Sequence, residues 1–428
     1  TISGCEKFLD EKPDKKLIVP ETMRELQQLL DGYRSMNESD AASGEISAGD
    51  NVLPDADWAA STEFYRKMYI WDSHYSTTLA NDWYLPYRRV YQSNVVLEEA
   101  EKIGNTDPAY NSVVGQALFF RSISFFTLAT HFSLQYDPVN ASKDMGIPLR
   151  LHTDFNEASK RSTNKETYDQ VISDAKRAIR LLPVRQVIAL RPSKIAAYGL
   201  LSRVYLAMNN FPLAKLYADS CLQYNPPLLN YNTHSTTAAY PFLRLNEEVI
   251  FESSMTSVSP IGLNAEVAPE LYAMYEPNDL RKVLFFKFRA ANRYNLKGSY
   301  ENNIGQFNGI ATDEIYLIRA ECLVRAGNVA AGMDDLNTLL VKRYKTGTFI
   351  PLAVHADALK TVLKERRKEL LMRGVRWSDL KRLNLLGENI TLTRIVNGVT
   401  YTLEPNSLKY ALPIPDEIVA RGVTQNLR

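Results

Sequence analysis

The spacing of apolar residues predicts a mainly helical chain. Thr22 and Glu25 have the spacing of a capping box, and Leu26, Leu29 and Leu30 follow on one helical face, so we predict a helix that ends near Gly32. Residues 115–134 form a strongly apolar helical pattern. A second capping box, Thr163 with Glu166, opens a helix that runs to about Leu182, where Pro183 stops it.

Small residues recur at the crossing positions of paired helices. In tetratricopeptide repeats, paired helices cross at small side chains and a proline follows the second helix. Three stretches of the chain fit this pattern to different degrees: Ser202, Ala214, Cys221 and Pro226; Ala178 and Pro183; Ala320 and Gly332. We predict at least three degenerate helix pairs, with a generic antiparallel bundle as the alternative. Cys221 and Cys322 fall on apolar helix faces, as buried small residues do.

Two long segments lack sustained periodicity. Residues 35–80 and 227–309 are rich in polar and turn-forming residues but carry many aromatic side chains, and long irregular segments in compact proteins are often functional. Near the end, Asn397 and Gly398 stand between β-branched runs and predict a short hairpin. The sequence Leu412-Pro413-Ile414-Pro415 must lie extended against another part of the fold.

Composition excludes several classes of protein. The 428 residues carry 50 Lys+Arg and 49 Asp+Glu, a formal net charge of +1, which gives no basic footprint for nucleic acid. Three cysteines at distant positions make neither a disulfide framework nor a zinc motif. No window of 18 apolar residues predicts a membrane-spanning helix. The length suits two or three domains or one repeat-built unit.

The stretch Ile2-Ser3-Gly4-Cys5 matches the pattern read by bacterial lipoprotein processing. Small residues suit the peptidase, and the thiol of Cys5 would accept the lipid. Residues 6–20 contain Pro13 and Pro20 without helical periodicity, as an extended tether would. The alternative is that Cys5 is an unmodified thiol near a frayed terminus.

Motifs along nearly the whole chain, taken together, resemble the SusD/RagB family of nutrient-binding lipoproteins of Bacteroidetes. The resemblance rests on these stretches: Ser3-Gly4-Cys5 with Phe8-Leu9-Asp10; Trp83, Tyr87, Tyr91 and Asn94; Ala117 to Phe132 around Phe120-Arg121; Gly146-Ile147-Pro148-Leu149; Asn246 to Phe251; Asp279 with Arg281; Glu365 to Leu370 running into Arg376-Trp377-Ser378-Asp379-Leu380; and Leu412 to Pro415 followed by Gln425-Asn426. Arg373, before Gly374, departs from the acidic residue that the family often has there.

The resemblance implies a SusD-like fold, in which helix pairs form a scaffold and a small β-hairpin and long irregular segments are added. It also implies a non-catalytic lipoprotein, anchored through Cys5 to the outer membrane and exposed at the cell surface. Such a protein captures oligosaccharides and passes them to a SusC-like TonB-dependent barrel. We expect a tether over 1–20 and a single domain over 21–428, with the scaffold at about 83–226 and 310–345, ligand-facing segments at 35–80 and 227–309, and a C-terminal segment at 346–428.

The resemblance transfers no binding residues, so the site is predicted from chemistry. A sugar offers an apolar C–H face and hydroxyl edges, which flat rings beside donors and acceptors recognise. Trp83 and Trp377 have structural explanations, which leaves Trp58 and Trp71, and we expect Trp71 to be the central ring. The other predicted ligand contacts are Trp58, Tyr69, Asp72, His74, Asp50, Asn51, Arg293 and Tyr294. We expect no cofactor, and His74 has no second metal ligand at helical spacing.

Other functions stay open. No HExxH, GxSxG or phosphate-binding glycine loop occurs, but carboxylate pairs are available among the acidic residues, so a glycoside hydrolase is one alternative. An intracellular tetratricopeptide adaptor is another. Within the family, a peptide-binding RagB-type member is the nearest alternative, although the near-zero net charge favours neutral glycans.

Overall fold

The computed structural model describes residues 20–38, 40–75, 81–255 and 265–428. Helices dominate it, as the sequence predicts. The helices of the described residues are α1 Met23–Leu30, α2 Tyr33–Met36, α3 Ser43–Ser47, α4 Asp55–Ala60, α5 Glu63–Tyr69, α6 Asn81–Ile103, α7 Tyr110–Phe132, α8 Asn164–Leu181, α9 Lys194–Ala207, α10 Phe211–Leu222, α11 Pro269–Tyr272, α12 Arg281–Leu284, α13 Thr312–Arg325, α14 Val329–Leu340, α15 Ala358–Glu369, α16 Arg376–Leu385 and α17 Asp416–Val419.

The strands are short and form several small antiparallel sheets. They are β1 Asn51–Val52, β2 Met145–Pro148, β3 Arg161–Thr163, β4 Val249–Phe251, β5 Ser254–Met255, β6 Glu266–Val267, β7 Phe286–Ala290, β8 Arg293–Leu296, β9 Gln306–Phe307, β10 Ile310–Ala311, β11 Leu392–Val396 and β12 Val399–Leu403. Four of them form one sheet in the order β1-β6-β8-β7. The other described sheets have two strands each.

The predicted helix pairs are present. Helices α7 and α8, α9 and α10, and α13 and α14 pack against each other, and α8 also contacts α9 while α10 contacts α13. The pairs therefore form one continuous scaffold, as in a helical repeat protein. The segment between α10 and α13 leaves this scaffold and forms strands β4 to β10.

Small residues sit where the paired helices cross. Ser202, Ala214 and Ala320 are fully buried at these crossings. A Cβ atom on Gly332 would lie 2.6 Å from a methyl carbon of Val324 and 2.9 Å from the carbonyl oxygen of Ala320. The second contact is with helix backbone, which cannot move aside easily, so the close approach of α13 and α14 requires glycine at this position.

Both predicted capping boxes are confirmed. Thr22 accepts a hydrogen bond from the backbone N–H of Glu25, and the Glu25 carboxylate accepts one from the backbone N–H of Thr22. Thr163 and Glu166 make the same reciprocal pair at the start of α8. Each capping box satisfies two N–H groups that a helix start otherwise leaves without partners.

Helix α7 is the centre of the main core. It begins at Tyr110, five residues before the predicted start. By length and composition it is the one described helix that could cross a membrane, but 94% of its apolar window is buried inside the fold. Phe119, Phe120 and Phe125 are fully buried, so the uninterrupted apolar pattern reflects packing on every side.

The two segments without periodicity contain short elements. The described part of residues 35–80 holds α3, α4 and α5, of five to seven residues, and the end of the four-residue α2, all too short for a repeating apolar pattern to reveal them. Strand β1 of this segment pairs with β6 of the second segment, Asn51 opposite Val267. The sheet β1-β6-β8-β7 therefore joins the two segments that the sequence analysis predicts to face a ligand.

The C-terminal predictions are also confirmed. Strands β11 and β12 form a hairpin around Asn397 and Gly398, which have φ angles of 48° and 77°, as a type I′ turn requires. The backbone N–H of Leu412 donates to the carbonyl oxygen of His131 at the end of α7, and Ile414 is fully buried. The proline-containing stretch thus lies extended against the core helix.

Candidate functional site

Tyr69 and Trp71 lie in the interior, on either side of a buried arginine. The guanidinium carbon of Arg394, on β11, is 3.7 Å from the centre of the Tyr69 ring and 4.6 Å from that of Trp71. The indole N–H of Trp71 donates to the carbonyl oxygen of Ser47 at 3.0 Å. Both rings are 2% exposed. Neither presents a face to solvent, and we propose no ligand contact for them.

Asp50 and Asn51 are also internal. Arg367, on α15, donates to Asp50 Oδ1 from Nε at 2.8 Å and from Nη2 at 2.6 Å. The side-chain amide of Asn51 donates to the carbonyl oxygen of Glu45 at 2.8 Å. Burial raises the pKa of Glu45 to about 8, so this carboxyl group favours its neutral form at neutral pH. Asp50 and Asn51 serve the packing of α3 and β1, and we propose no ligand contact for them.

Asp72 and His74 lie at the surface after α5. The carboxylate of Asp72 accepts a hydrogen bond from the backbone N–H of His74 at 2.9 Å, and His74 is exposed. This is a local turn contact, and ligand binding by these two side chains stays a prediction. Cys5, the predicted lipidation site, lies outside the described residues.

Asp57, the residue before Trp58 on α4, is linked to Arg293 through Arg289 and Glu266 on one face of the four-stranded sheet. Glu266, on β6, accepts hydrogen bonds from Arg293 Nε at 2.7 Å and Nη2 at 2.5 Å. Arg289 Nε lies 3.5 Å from the same carboxylate, and its Nη2 lies 3.3 Å from Asp57. We call this set of residues, Asp57, Trp58, Glu266, Arg289 and Arg293, the polar sheet face.

Trp58 is half-buried beside α5. Its indole N–H donates to the carbonyl oxygen of Arg66 at 3.2 Å, and the guanidinium carbon of Arg66 lies 5.8 Å from the ring centre. Arg66 in turn donates to the carbonyl oxygens of Ala59 and Ser61. The ring is therefore held in a fixed orientation at the surface, as a stacking platform must be.

Tyr294 faces the other side of the sheet, because successive side chains of a strand alternate. Its ring stacks on that of Tyr272 with the centres 3.7 Å apart. Phe288 lies edge-on to Tyr294 at 6.0 Å and is 68% exposed. Tyr294 therefore belongs to an aromatic group separate from Trp58 and Arg293.

The polar sheet face combines carboxylate acceptors with guanidinium donors. Hydrogen bonds from Arg293 to Glu266 raise the pKa of the guanidinium above its ordinary value, so it stays a cation. Charged donors and acceptors can hydrogen-bond hydroxyl groups, and an aromatic ring can stack on C–H groups. Asp57, Glu266 and Arg289 were not among the residues predicted from the sequence. Of these three, only Arg289 had a local signal in the sequence, because it lies across a turn from Arg293. Asn292, in that turn, has a φ angle of 59°.

Three buried carboxylates lie close enough to hold a metal ion. Glu248, Asp313 and Glu369 have oxygen atoms within 4.8 Å of one another. Arg343 pairs with Glu248 at 2.7 Å and with Glu369 at 2.6 Å, and Arg373 pairs with Asp313 at 3.1 Å. These guanidinium groups already supply the positive charge that a cation would bring, and the cluster is a salt-bridge network.

Comparisons with known proteins agree with the fold. The family model described as "Starch-binding associating with outer membrane", of the SusD-like class, matches residues 7–206, and the model described as "SusD family" matches residues 281–426. No curated protein matches the chain.

Solved structures of Bacteroides proteins have the same fold. A SusD superfamily protein of Bacteroides thetaiotaomicron is 23% identical with a TM-score of 0.75, and the match covers 95% of this chain and 100% of that one. A putative sugar binding protein of Bacteroides vulgatus is 22% identical with a TM-score of 0.76, covering 95% and 99%. A SusD-like carbohydrate binding protein of the same species is 20% identical with a TM-score of 0.69, covering 94% and 97%. The chain belongs to the SusD/RagB family.

Proposed function

We propose that this protein is a cell-surface lipoprotein that captures oligosaccharides and delivers them, chemically unaltered, to a SusC-like TonB-dependent barrel in the outer membrane. Family membership supports the general role, since one matching model is described as starch-binding and associated with the outer membrane. The observation that supports the ligand class is the polar sheet face, where Trp58, whose ring Arg66 contacts, follows Asp57, and Asp57 pairs with Arg289 of the sheet.

In this proposal the C–H face of a sugar stacks on the exposed side of Trp58. The hydroxyl groups of the sugar donate hydrogen bonds to Asp57 and Glu266 and accept hydrogen bonds from Arg289 and Arg293. Most of these partners already bind one another, so their orientation is set before a ligand arrives. Such preorganisation reduces the entropy lost on binding.

A peptide ligand is the second candidate, and strand β7 favours it. This strand is at the edge of its sheet, so one side of its backbone has no neighbouring strand among the described residues. An extended peptide could add there as a further strand, the way many peptide-binding domains work. A peptide held in this way would depend on backbone hydrogen bonds of β7 and little on Trp58.

Replacing Trp58 with alanine is the test of the glycan site. We expect Trp58→Ala to weaken binding of an oligosaccharide selected on a glycan array by roughly 2 kcal/mol, about thirtyfold, as loss of a stacking ring would. Isothermal titration calorimetry measures the affinity. The ligand is then recovered to establish that its chain length is unchanged.

The matched control is Phe155→Ala, which removes a ring that is 79% exposed and lies outside the four-stranded sheet. It should bind the oligosaccharide as the unsubstituted protein does. Equal affinity of the Trp58→Ala variant and the unsubstituted protein, with both folded, would remove the polar sheet face from the proposal. Shortened oligosaccharide would show catalysis instead of transport.

Membrane attachment is tested separately at Cys5. The Ile2-Ser3-Gly4-Cys5 pattern supports a thioether-linked lipid, and two or more acyl chains would hold the protein permanently on a bilayer. Expressed from its own gene in its native host, the protein should take up radioactive fatty acid, and Cys5→Ser should abolish the label. Cys221→Ser should keep it, because that thiol is buried in the fold. Equal labelling of Cys5→Ser and the unsubstituted protein would contradict the anchor.

A further inference from the structure

A cavity of about 230 Å³ opens at the base of the β7–β8 hairpin. It lies between the end of β8, the 237–240 loop and the 298–306 turn. Drug-sized ligands usually occupy about 300–1,000 Å³, so this volume suits a single small unit such as one sugar ring. The residues that line the cavity include Tyr240, Lys287, Lys297, Gly298, Ile304 and Gln306. We call it the lysine cavity.

Neither lysine of the cavity has a carboxylate partner in the part of the chain that the structure describes. Lys297 Nζ donates to the carbonyl oxygens of Thr236 at 2.6 Å and Val283 at 2.8 Å. An ammonium group has three N–H donors, so one remains for a ligand. Burial lowers the pKa of Lys297, as expected for an ammonium group without a carboxylate partner among the described residues. Lys287 projects from β7 and is exposed.

The surrounding sequence has an excess of positive charge. Residues 280–300 contain six Lys or Arg and no Asp or Glu. The three arginines are neutralised by carboxylates from other segments: Arg281 by Asp279, Glu365 and Glu369, Arg289 by Asp57 and Glu266, and Arg293 by Glu266. The lysines keep their charge. The chain as a whole is almost neutral, so the excess of positive charge is local to the hairpin and the cavity beside it.

The cavity also has a prepared ring. Tyr240 is 37% exposed, and its ring lies against Gly298. A Cβ atom at residue 298 would be 3.1 Å from the ring and 2.6 Å from the carbonyl oxygen of Asn303, and φ there is 140°. Only glycine allows this backbone to support the ring so closely. Gln306 adds an amide that can both donate and accept hydrogen bonds.

We infer that the lysine cavity binds the acidic unit of an anionic glycan, with the carboxylate or sulfate between Lys287 and Lys297 and the sugar ring against Tyr240. The inference rests on the proposed glycan function and deepens it, because it names the class of glycan. It also replaces the expectation of neutral glycans, which was drawn from the net charge of the whole chain. Local charge decides what a cavity binds, and the two lysines favour an anion.

Calorimetry with three groups of probes tests the inference: oligogalacturonides, which carry carboxylates; chondroitin sulfate oligosaccharides, which carry sulfates as well; and neutral malto- and xylo-oligosaccharides of matched length. We expect one of the anionic groups to bind at least tenfold more tightly than any neutral probe, and its affinity to fall as salt is raised, because salt screens the exposed lysine. Which anionic group binds distinguishes carboxylate from sulfate.

Lys287→Gln and Lys297→Met should each weaken binding of the anionic probe by about tenfold and leave the affinity for neutral probes unchanged. Lys287→Arg should retain binding because it keeps the charge, and Lys360→Gln, which alters a lysine exposed on α15, is the control. Neutral probes that bind as tightly as anionic ones would overturn the inference and leave the glycan function intact. Anionic binding that is insensitive to both lysine substitutions would overturn the cavity assignment. If no oligosaccharide binds, the proposed function and this inference both fail.

Discussion

Replacing Arg343 with alanine should lower the free energy of unfolding by about 3–5 kcal/mol, as breaking a buried ion pair from one side does. The guanidinium is fully buried and donates to Glu248 at 2.7 Å, to Glu369 at 2.6 Å and to the carbonyl oxygen of Leu229 at 2.6 Å. It also lies 4.0 Å from the centre of the Tyr231 ring. Its removal takes away the guanidinium donor of Glu248 and of the Leu229 carbonyl group, and leaves Glu369 with Arg281 as its remaining guanidinium partner.

The loss should depend on pH in a defined direction. Burial already raises the pKa of Glu248 to about 8, and without Arg343 this carboxyl group binds a proton still more readily in the folded state, so its folded pKa lies above the unfolded one. Stability is then retained at low pH and lost as pH rises through the folded pKa. Urea unfolding of Arg343→Ala, compared with the unsubstituted protein at about pH 5.5 and about pH 8, should show the larger difference at pH 8.

Arg191→Ala is the matched control. Arg191 pairs with Asp31 at 2.7 Å, but both side chains are about one-third exposed. Pairs at the surface contribute only about 0–1 kcal/mol. If Arg343→Ala cost no more than Arg191→Ala at either pH, the network would not be the stabilising element that its geometry indicates.

This network explains two sequence motifs that the sequence analysis identified only by resemblance. Arg281 pairs with Asp279 at 2.7 Å, Glu365 at 2.6 Å and Glu369 at 2.8 Å, so the Asp279–Arg281 pair and the helix from Glu365 to Leu370 meet in one buried cluster. A highly charged helix such as α15 is usually exposed to solvent. Its burial could not be derived from its own residues, because the neutralising partners come from distant parts of the chain.

Local signals, by contrast, gave correct predictions. The capping boxes at Thr22 and Thr163 and the Asn397-Gly398 turn depend on residues within four positions of one another. The helix pairs were recognisable from small residues at their crossings. The positions of Trp58 and Trp71 were not, because both occur in a segment without periodicity. The environments of these two tryptophans differ because Arg394, from a hairpin distant in sequence, lies against Trp71.

Replacing Trp71 with alanine should therefore affect stability and leave the proposed binding surface unchanged. Deletion of a buried tryptophan side chain costs about 3–5 kcal/mol, through lost burial and the cavity left behind. Trp71 also donates to Ser47 and covers one side of Arg394. Burial lowers the pKa of Arg394 to about 10, and no carboxylate pairs with it among the described residues, so the two rings are important for holding this cation in the interior.

Urea unfolding and calorimetry of the same preparations separate the two tryptophans. Trp71→Ala should unfold at much lower urea, yet the fraction that remains folded should bind the oligosaccharide with unchanged affinity. Trp58→Ala should show the opposite, with a small change in stability and weak binding. Trp71→Phe, which keeps an aromatic ring over Arg394 but loses the hydrogen bond to Ser47, should recover most of the stability. A Trp71→Ala variant of normal stability that binds poorly would instead return Trp71 to the ligand site and would require the 35–80 segment to open around Arg394.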